Sequence, residues 1–574
     1  MPTLNWIGKD KVINHHLDVP YRILDKQYTY NADASENKII HGDNLEALKA
    51  LLPEYEGRIK CIYIDPPYNT GNEGWVYNDN VNDPKIKKWL GEVVGKESED
   101  LTRHDKWLCM MYPRLKLLHR LLADDGVIFI SINDIEVSNL RLICDEIFGG
   151  KNFFTQMIWN TEGNTDNQLE VKINHEYILV YLKRYDNKED AIGRVIDPNT
   201  KEDSNLWKGI ADNNINKNNI ANPPEIVTLP IGFPCTEEEL YYESKKVDDI
   251  FFEITQNEKI ISDAIKQKYL IENVSGLPVK LDDMVVKNYK LIRPCRIYAG
   301  FANRNKLEQF INNDLKPIDD NGSPMHFYLN KNAAVRYRKE NDKPRNILSV
   351  LRNFGTTEKT RTELKRNHIN FSYPKPVDLI KYILSFGAES QNSIILDSFA
   401  GSGTTANAVI NLNKQDGGNR KFILVEMEDY ADDITAKRVK RVIDGYGEDK
   451  SMEGTGGNFS YYELGQPMFI ENDYLNEELP LQEIHRYIWY TETARPFDES
   501  QKDHSHLLGV NDNSSYYFFY EKDSLTTLNH EFLQTIEQKS DTYVIYADNC
   551  VLPKEFMAKN NIIFKKIPRD ITRF

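Results

Sequence analysis

Apolar and polar positions fall into blocks along this chain, and the block pattern changes three times. Between 38 and 185, short continuous apolar runs alternate with stretches whose apolar residues recur every three or four positions. The runs at 38–40, 59–65, 127–133, 153–160 and 176–184 predict strands, and the periodic stretches at 44–54, 105–124 and 135–148 predict helices. From 186 to 370 the rhythm breaks into Asn-, Lys- and Asp-rich sequence with few long apolar runs, which predicts an inserted mixed α/β region. Alternation resumes with a helix at 377–387, a strand at 393–399, a helix at 404–414, a strand at 421–428 and a helix at 433–446. Beyond the glycine-rich 453–458 the chain is acidic and Tyr-rich, with strand-like runs at 516–520, 542–547 and 562–567.

Strands that are apolar at every position are buried on both faces, which argues for a parallel sheet with helices on each side. The expected fold class is therefore α/β. One domain is split across 38–185 and 371–447, with an N-terminal arm at 1–37, an insertion at 186–370 and an α+β appendage at 448–574.

Charge sharpens this partition. The 574 residues carry 72 Lys and Arg against 88 Asp and Glu, a formal net charge of −16, which excludes a wholly basic nucleic-acid coat protein. The excess is uneven. The last 124 residues hold 20 acids and 11 basic side chains, whereas 331–375 holds 12 cations and four acids. A basic segment on an acidic body is compatible with contact to phosphates. The six cysteines are scattered without a C-x-x-C pair, which disfavours a disulfide framework or a zinc site. With no apolar stretch of membrane-spanning length and no signal-like start, the expectation is a soluble intracellular protein.

Two constellations carry chemistry. Asp65-Pro66-Pro67-Tyr68, followed by Asn69-Thr70-Gly71, stands at the C-terminal end of a predicted central strand, where open α/β sheets place ligands. Two prolines stiffen the backbone and remove two N–H donors, leaving carbonyl acceptors beside the Asp65 carboxylate and the flat face of Tyr68. Rigid acceptors beside an aromatic plane suit a planar group bearing an NH2, such as a nucleobase edge. Accepting its protons and stacking its ring would localise the nitrogen lone pair and aim it at an electrophile.

The second constellation is Leu396-Asp397-Ser398-Phe399-Ala400-Gly401-Ser402-Gly403-Thr404-Thr405, a strand end, a glycine-rich turn and a helix start with Thr404 or Thr405 as the N-cap. It lacks the Lys of an NTP-cradling loop, and Ala406 stands where a dinucleotide fingerprint needs its third glycine. Glu426 follows on the next strand, at a spacing suited to gripping a ribose diol. A nucleoside-bearing cofactor without a pyrophosphate fits this pattern.

Together the two motifs resemble the signatures of S-adenosylmethionine-dependent amino-methyltransferases acting on DNA. The order, catalytic motif first, resembles the permuted β group, and DPPYNTG, DSFAGSGTT and the length are most similar to modification (Mod) subunits of type III restriction–modification systems. His41-Gly42-Asp43-Asn44, Phe371-Ser372-Tyr373-Pro374-Lys375-Pro376 and the stretch around His175-Glu176-Tyr177 match further family elements. The resemblance implies a Rossmann-like class I methyltransferase sheet. It also implies that Asp65 and the Pro66 carbonyl accept the target amino protons, with Pro67 completing the turn and Tyr68 stacking on an extruded base. Phe399, Gly401, Gly403 and Thr404, with Asp397 close by, would line the methionine part of S-adenosylmethionine. Glu426 would hold the ribose, Asp43 would sit near the adenine, and Lys375 would join the cofactor set.

Asp at the head of the motif favours N6 of adenine over N4 of cytosine. The 186–370 insertion occupies the slot of the family's target-recognition region, which makes Arg336, Arg338, Arg345, Arg352, Arg361, Lys365 and Arg366 candidate contacts to double-stranded DNA. The acidic tail would support a homodimer or docking of a restriction (Res) helicase–nuclease subunit. The implied setting is the cytoplasm of a prokaryotic cell, on the nucleoid, with no metal and no membrane. A recognition subunit that mainly guides a nuclease is the alternative from a different class. His175-Glu176 lacks a second His at 179 and reads as a packed strand end rather than a metal pair. Asn133-Asp134 is the expected cap of the following helix, and the C-terminal Trp and Tyr residues are expected in a core.

Overall fold

A computed structural model of the chain describes residues 3–70, 103–161, 173–217, 225–244, 278–320, 322–340, 346–446, 452–470, 474–498 and 506–574, with single positions at 88, 91, 92, 171, 221 and 222. The chain divides into two units, one formed by Met1–Gly193 with Leu348–Phe574 and the other by Arg194–Ile347.

Ten described strands build one sheet in the first unit: β1 (Arg22–Tyr30), β2 (Lys38–His41), β3 (Ile59–Ile64), β4 (Leu122–Ile132), β5 (Phe153–Asn160), β6 (His175–Leu182), β7 (Val350–Leu351), β8 (Ile394–Asp397), β9 (Lys421–Glu426) and β10 (Phe459–Pro467). Their spatial order is β1-β10-β2-β9-β8-β3-β4-β6-β5-β7. The six strands from β10 to β4 run parallel. β6 is antiparallel to both β4 and β5, and β1 is antiparallel to β10. The sheet is mixed rather than wholly parallel. An unbroken apolar run such as Ile178–Leu182 reports burial on both faces, which a strand of either direction can have.

Helices cover the sheet: α1 (Asn44–Tyr55), α2 (Arg103–Leu121), α3 (Val137–Cys144), α4 (Thr357–Arg366), α5 (Val377–Gly387), α6 (Thr404–Asp416) and α7 (Lys437–Asp444). α1 starts where the Asp43 carboxylate accepts hydrogen bonds from the Leu45 and Glu46 N–H groups at 2.8 and 3.2 Å, and it buries Leu45, Leu48, Leu51 and Leu52. At the end of α5 a Cβ on Gly387 would stand 2.6 Å from the Phe129 ring, so glycine is what lets this helix lie against β4. Two expected helices are interrupted. A π-helical turn at Asp145–Gly149 follows α3, and another at Ala431–Ala436 precedes α7. Asn133 accepts from the Ile135 N–H at 3.0 Å in a local turn, while the cap position of α3 is Glu136.

The composition boundaries at 37, 185, 370 and 447 shift. β1, drawn from the expected arm, pairs with β10, drawn from the expected appendage, because the sheet's outer edge is completed by segments that the local pattern left unassigned. The insertion narrows to Arg194–Ile347, so α4 belongs to the sheet-bearing unit. In the appendage, Ser514–Phe518, Thr542–Ala547 and Ile562–Lys566 run parallel with helices His530–Gln534 and Lys554–Lys559 between them. Leu507–Asn511 joins the same sheet antiparallel to Ser514–Phe518. Tyr487, Trp489, Tyr490 and Tyr546 are buried there, in the core role expected of them.

The second unit has its own core around Phe233, Phe310, Phe327, Leu329 and Val335, under a sheet ordered Ile318–Asp320, Ser323–Leu329, Val335–Glu340, Ile210–Asn214. Its two ends are pinned together. Asp197 N–H donates to the Asn346 carbonyl at 2.8 Å, and Asn346 N–H donates to the Val195 carbonyl at 2.9 Å.

Candidate active site

Four adjacent parallel strands end in acids at one edge of the sheet. Asp43 lies in the turn after β2, Glu426 ends β9, Asp397 ends β8, and Asp65 follows β3. The carboxyl ends of parallel strands are where such sheets leave room for ligands.

The Asp65–Tyr68 run is braced from several sides. Trp107 Nε1 donates to the Pro67 carbonyl at 2.7 Å, which fixes the second proline from α2. Asn69 takes a left-handed conformation, φ 60°, and donates to the fully buried Glu136, which also meets His104 at 2.6 Å. Both Asp65 oxygens accept from Lys375 Nζ, at 2.9 and 2.8 Å. Glu176 Oε2 accepts from the Tyr68 hydroxyl at 2.8 Å and stands 3.3 Å from the same Nζ. Burial disfavours the Lys375 charge, but the two carboxylates outweigh it and hold the ammonium above its ordinary value.

The glycine-rich loop closes the other side. Gly401 and Gly403 adopt positive φ, 50° and 78°, and a Cβ on Gly403 would stand 3.3 Å from Thr435 of the π-helical turn. Gly403 itself occupies the cap position of α6, so neither threonine caps it. The Thr405 hydroxyl donates to Asp397 at 2.5 Å, and Thr404 accepts from the buried Arg438 at 2.8 Å. Glu426 accepts the Gly401 and Glu428 N–H groups at 2.7 and 3.0 Å. Among the described residues no cation pairs with Asp397 or Glu426. Burial raises Asp397 to about 7 and Glu426 to about 8. Buried carboxylates without a cation suit a ligand that brings hydroxyl donors or positive charge. Asp65, Lys375, Asp397, Phe399, Gly401 and Thr404 line one cleft.

The family described as DNA methylase matches residues 59–437, from the start of β3 to the first residue of α7. The chain belongs to this DNA methylase family. It is 32% identical over 481 residues to the type III restriction-modification enzyme EcoPI Mod subunit of Escherichia phage P1, covering 77% of this chain and 68% of that protein. To the EcoP15I Mod subunit of Escherichia coli it is 30% identical, covering 74% of this chain and 64% of that one. To the StyLTI Mod subunit of Salmonella typhimurium it is 27% identical, covering 81% and 66%. The alignments span about two thirds of these relatives.

Placed on the DNA methylase, most residues singled out from sequence converge on this edge, with two shifts. Lys375, grouped with the cofactor set, ion-pairs with Asp65. Asp43 caps α1 and lies 3.5 Å from the buried Arg114, while its neighbour Gly42 bonds the Glu426 carbonyl. Two residues were missed. Glu136 and Glu176 reach the site from the β4 and β6 side, and only His175-Glu176 within a family block hinted at either. The candidate DNA residues are dispersed. Arg336 and Arg338 lie on a strand of the second unit, where Arg336 is bonded to Asp212 at 2.8 Å. Arg361 pairs with Glu358 on α4, and Arg352, Lys365 and Arg366 are exposed in the first unit. Arg345 and Gly71 lie outside the described residues. Among the described residues no helix is long and apolar enough to cross a membrane.

The two raised carboxyls have a consequence for stability. A folded acid with a raised pKa binds more protons than the unfolded chain, so its contribution is lost as pH rises. Unfolding free energy of the ligand-free chain should therefore fall between about pH 4 and about pH 8, then level off. Denaturant melts at pH 5.5 and 8.5 check this, and Glu426→Gln should flatten the difference.

Proposed function

We propose that this chain is a DNA adenine-N6 methyltransferase that uses S-adenosylmethionine and acts as the modification subunit of a type III restriction–modification system. The observation that carries the reading is that Asp65 of the DPPY run and the glycine-rich loop line one cleft. The likeness to Mod subunits supports the system to which it is assigned.

Asp397, Phe399, Gly401, Gly403, Thr404 and Glu426 would hold the cofactor, with the Gly42–Asp43 turn beside Glu426 on its adenine side. When bound, S-adenosylmethionine supplies an electrophilic methyl group whose bonding pair stays with sulfur on transfer. Asp65 and the Pro66 carbonyl accept the two amino protons, which keeps the N6 lone pair out of the ring and directed at the methyl carbon. Tyr68 stacks on the extruded adenine, and the proton that N6 sheds leaves toward Asp65 and solvent. Extrusion costs a few kcal/mol, which contacts to the duplex offset.

We assign duplex contact to the second unit and to the exposed cations of the first. Lys365→Ala with Arg366→Ala should weaken DNA binding about equally for all sequences and reduce the salt slope by about 2, as a titration from low to moderate salt would show. The acidic C-terminal region is assigned to contact with a second copy or a Res subunit. The deciding test of the activity is incubation of unmethylated duplex DNA with labelled cofactor, followed by nucleoside analysis. Label in N6-methyladenine is expected. Label in N4-methylcytosine moves the reading to cytosine, and no label with any DNA overturns it.

A further inference from the structure

The Asp65 carboxylate already has a donor. Lys375 Nζ bonds both of its oxygens, at 2.9 and 2.8 Å, and lies 4.8 Å from the centre of the Tyr68 ring. An arriving amino group must share these lone pairs with an ammonium or displace it. A second carboxylate is within reach of the same nitrogen, because Glu176 Oε2 is 3.3 Å away. Lys375 is 8% exposed and Glu176 22% in their side chains, so the ammonium is far better paired with a carboxylate than left alone.

We propose that Glu176 is a positioning residue for methyl transfer. It receives the Lys375 ammonium when the target amino group takes over Asp65, and through its bond to the Tyr68 hydroxyl it keeps the stacking ring in place. The proposal rests on the methyltransferase reading above. One cation between two carboxylates gives the cluster a net charge of −1 and two alternative partners for Nζ. A carboxylate that served only the fold would not need to stand within reach of the same ammonium that occupies Asp65.

Charge arithmetic separates this role from a structural one. In Glu176→Gln the cation has one anionic partner left, so Lys375 settles on Asp65 in a neutral pair. Stability should be unchanged or higher, whereas kcat should fall by about 10–100-fold, the range for a lost orienting partner. KM for DNA, set by duplex contacts, should change less than about threefold by the same reasoning. In Lys375→Met, Asp65 and Glu176 face each other without a cation, and their repulsion disturbs the acceptor, so activity should also fall. The double variant leaves Asp65 as the only charge of the three and should be more active than either single variant.

The experiment measures kcat and KM for methyl transfer, with thermal unfolding, for the full-length wild type, both single variants and the double variant. Higher activity in the double variant, with Glu176→Gln as stable as wild type, supports the role. Losses that multiply, an unchanged kcat in Glu176→Gln, or instability that parallels its activity loss overturn it. A wild-type chain that methylates normally beside such results confines the failure to Glu176. A wild type that transfers no methyl group overturns the methyltransferase reading itself.

Discussion

Replacing Asp65 by Ala should lower methyl transfer about 10³-fold while leaving the chain folded. Asp65 is the one anionic acceptor of the DPPY run, and the proposed chemistry depends on it to hold the amino group and take up its proton. The substitution deletes that acceptor but leaves Lys375 a carboxylate, Glu176, at 3.3 Å, so the buried cation is not stranded. Thermal unfolding close to wild type beside single-turnover rates reduced by three orders of magnitude is the expected pair of results. Asp65→Asn keeps one acceptor oxygen and should fall between the two. Single-turnover rates within tenfold of wild type in Asp65→Ala would remove Asp65 from the chemistry.

Glu426→Ala should cost the cofactor roughly 30–150-fold in affinity, about 2–3 kcal/mol. The carboxylate orders the loop through the Gly401 and Glu428 N–H groups, and the proposed role adds acceptance of ribose hydroxyls. Removing it leaves two backbone donors unpartnered at the site. The sign of the pH dependence follows from the raised pKa of about 8. Hydroxyl donors favour the ionised carboxylate, so binding expels a proton. Affinity should rise with pH, by at most about tenfold per unit, and level off above about 8. Calorimetric titrations from pH 6 to 9 would register both the proton and the slope. Glu426→Gln should lose the part of that dependence that Glu426 carries, leaving a shallower one from Asp397, whose value is about 7.

The strands and helices that hold the site were legible because each pairs a clear period with a sharp boundary. α5 spans Val377–Gly387 and β5 spans Phe153–Asn160, the spans predicted from apolar spacing. The acids at the ends of β3, β8 and β9 were legible because parallel neighbours bring their carboxyl ends to one edge. Glu176 was not, and strand direction is the reason. In a parallel sheet the first residues of β6 would face away from that edge, and only its antiparallel pairing with β4 brings Glu176 to Tyr68. Lys375 was grouped with the cofactor because its motif adjoins the glycine loop in sequence, whereas its nitrogen reaches across to a carboxylate 310 positions away. The edge pair β1–β10 was missed because its burial is partial and its partners lie at opposite ends of the chain.

The pinned ends of the second unit bear on inheritance. Val195, Asp197 and Asn346 tie the incoming and outgoing chain side by side, so the roughly 150 residues of the second unit begin and end at one neck of the chain. No strand of the ten-stranded sheet is contributed from within that neck. A genetic exchange with both crossovers at the neck would install a different unit without disturbing any strand pair that carries Asp65, Asp397 or Glu426.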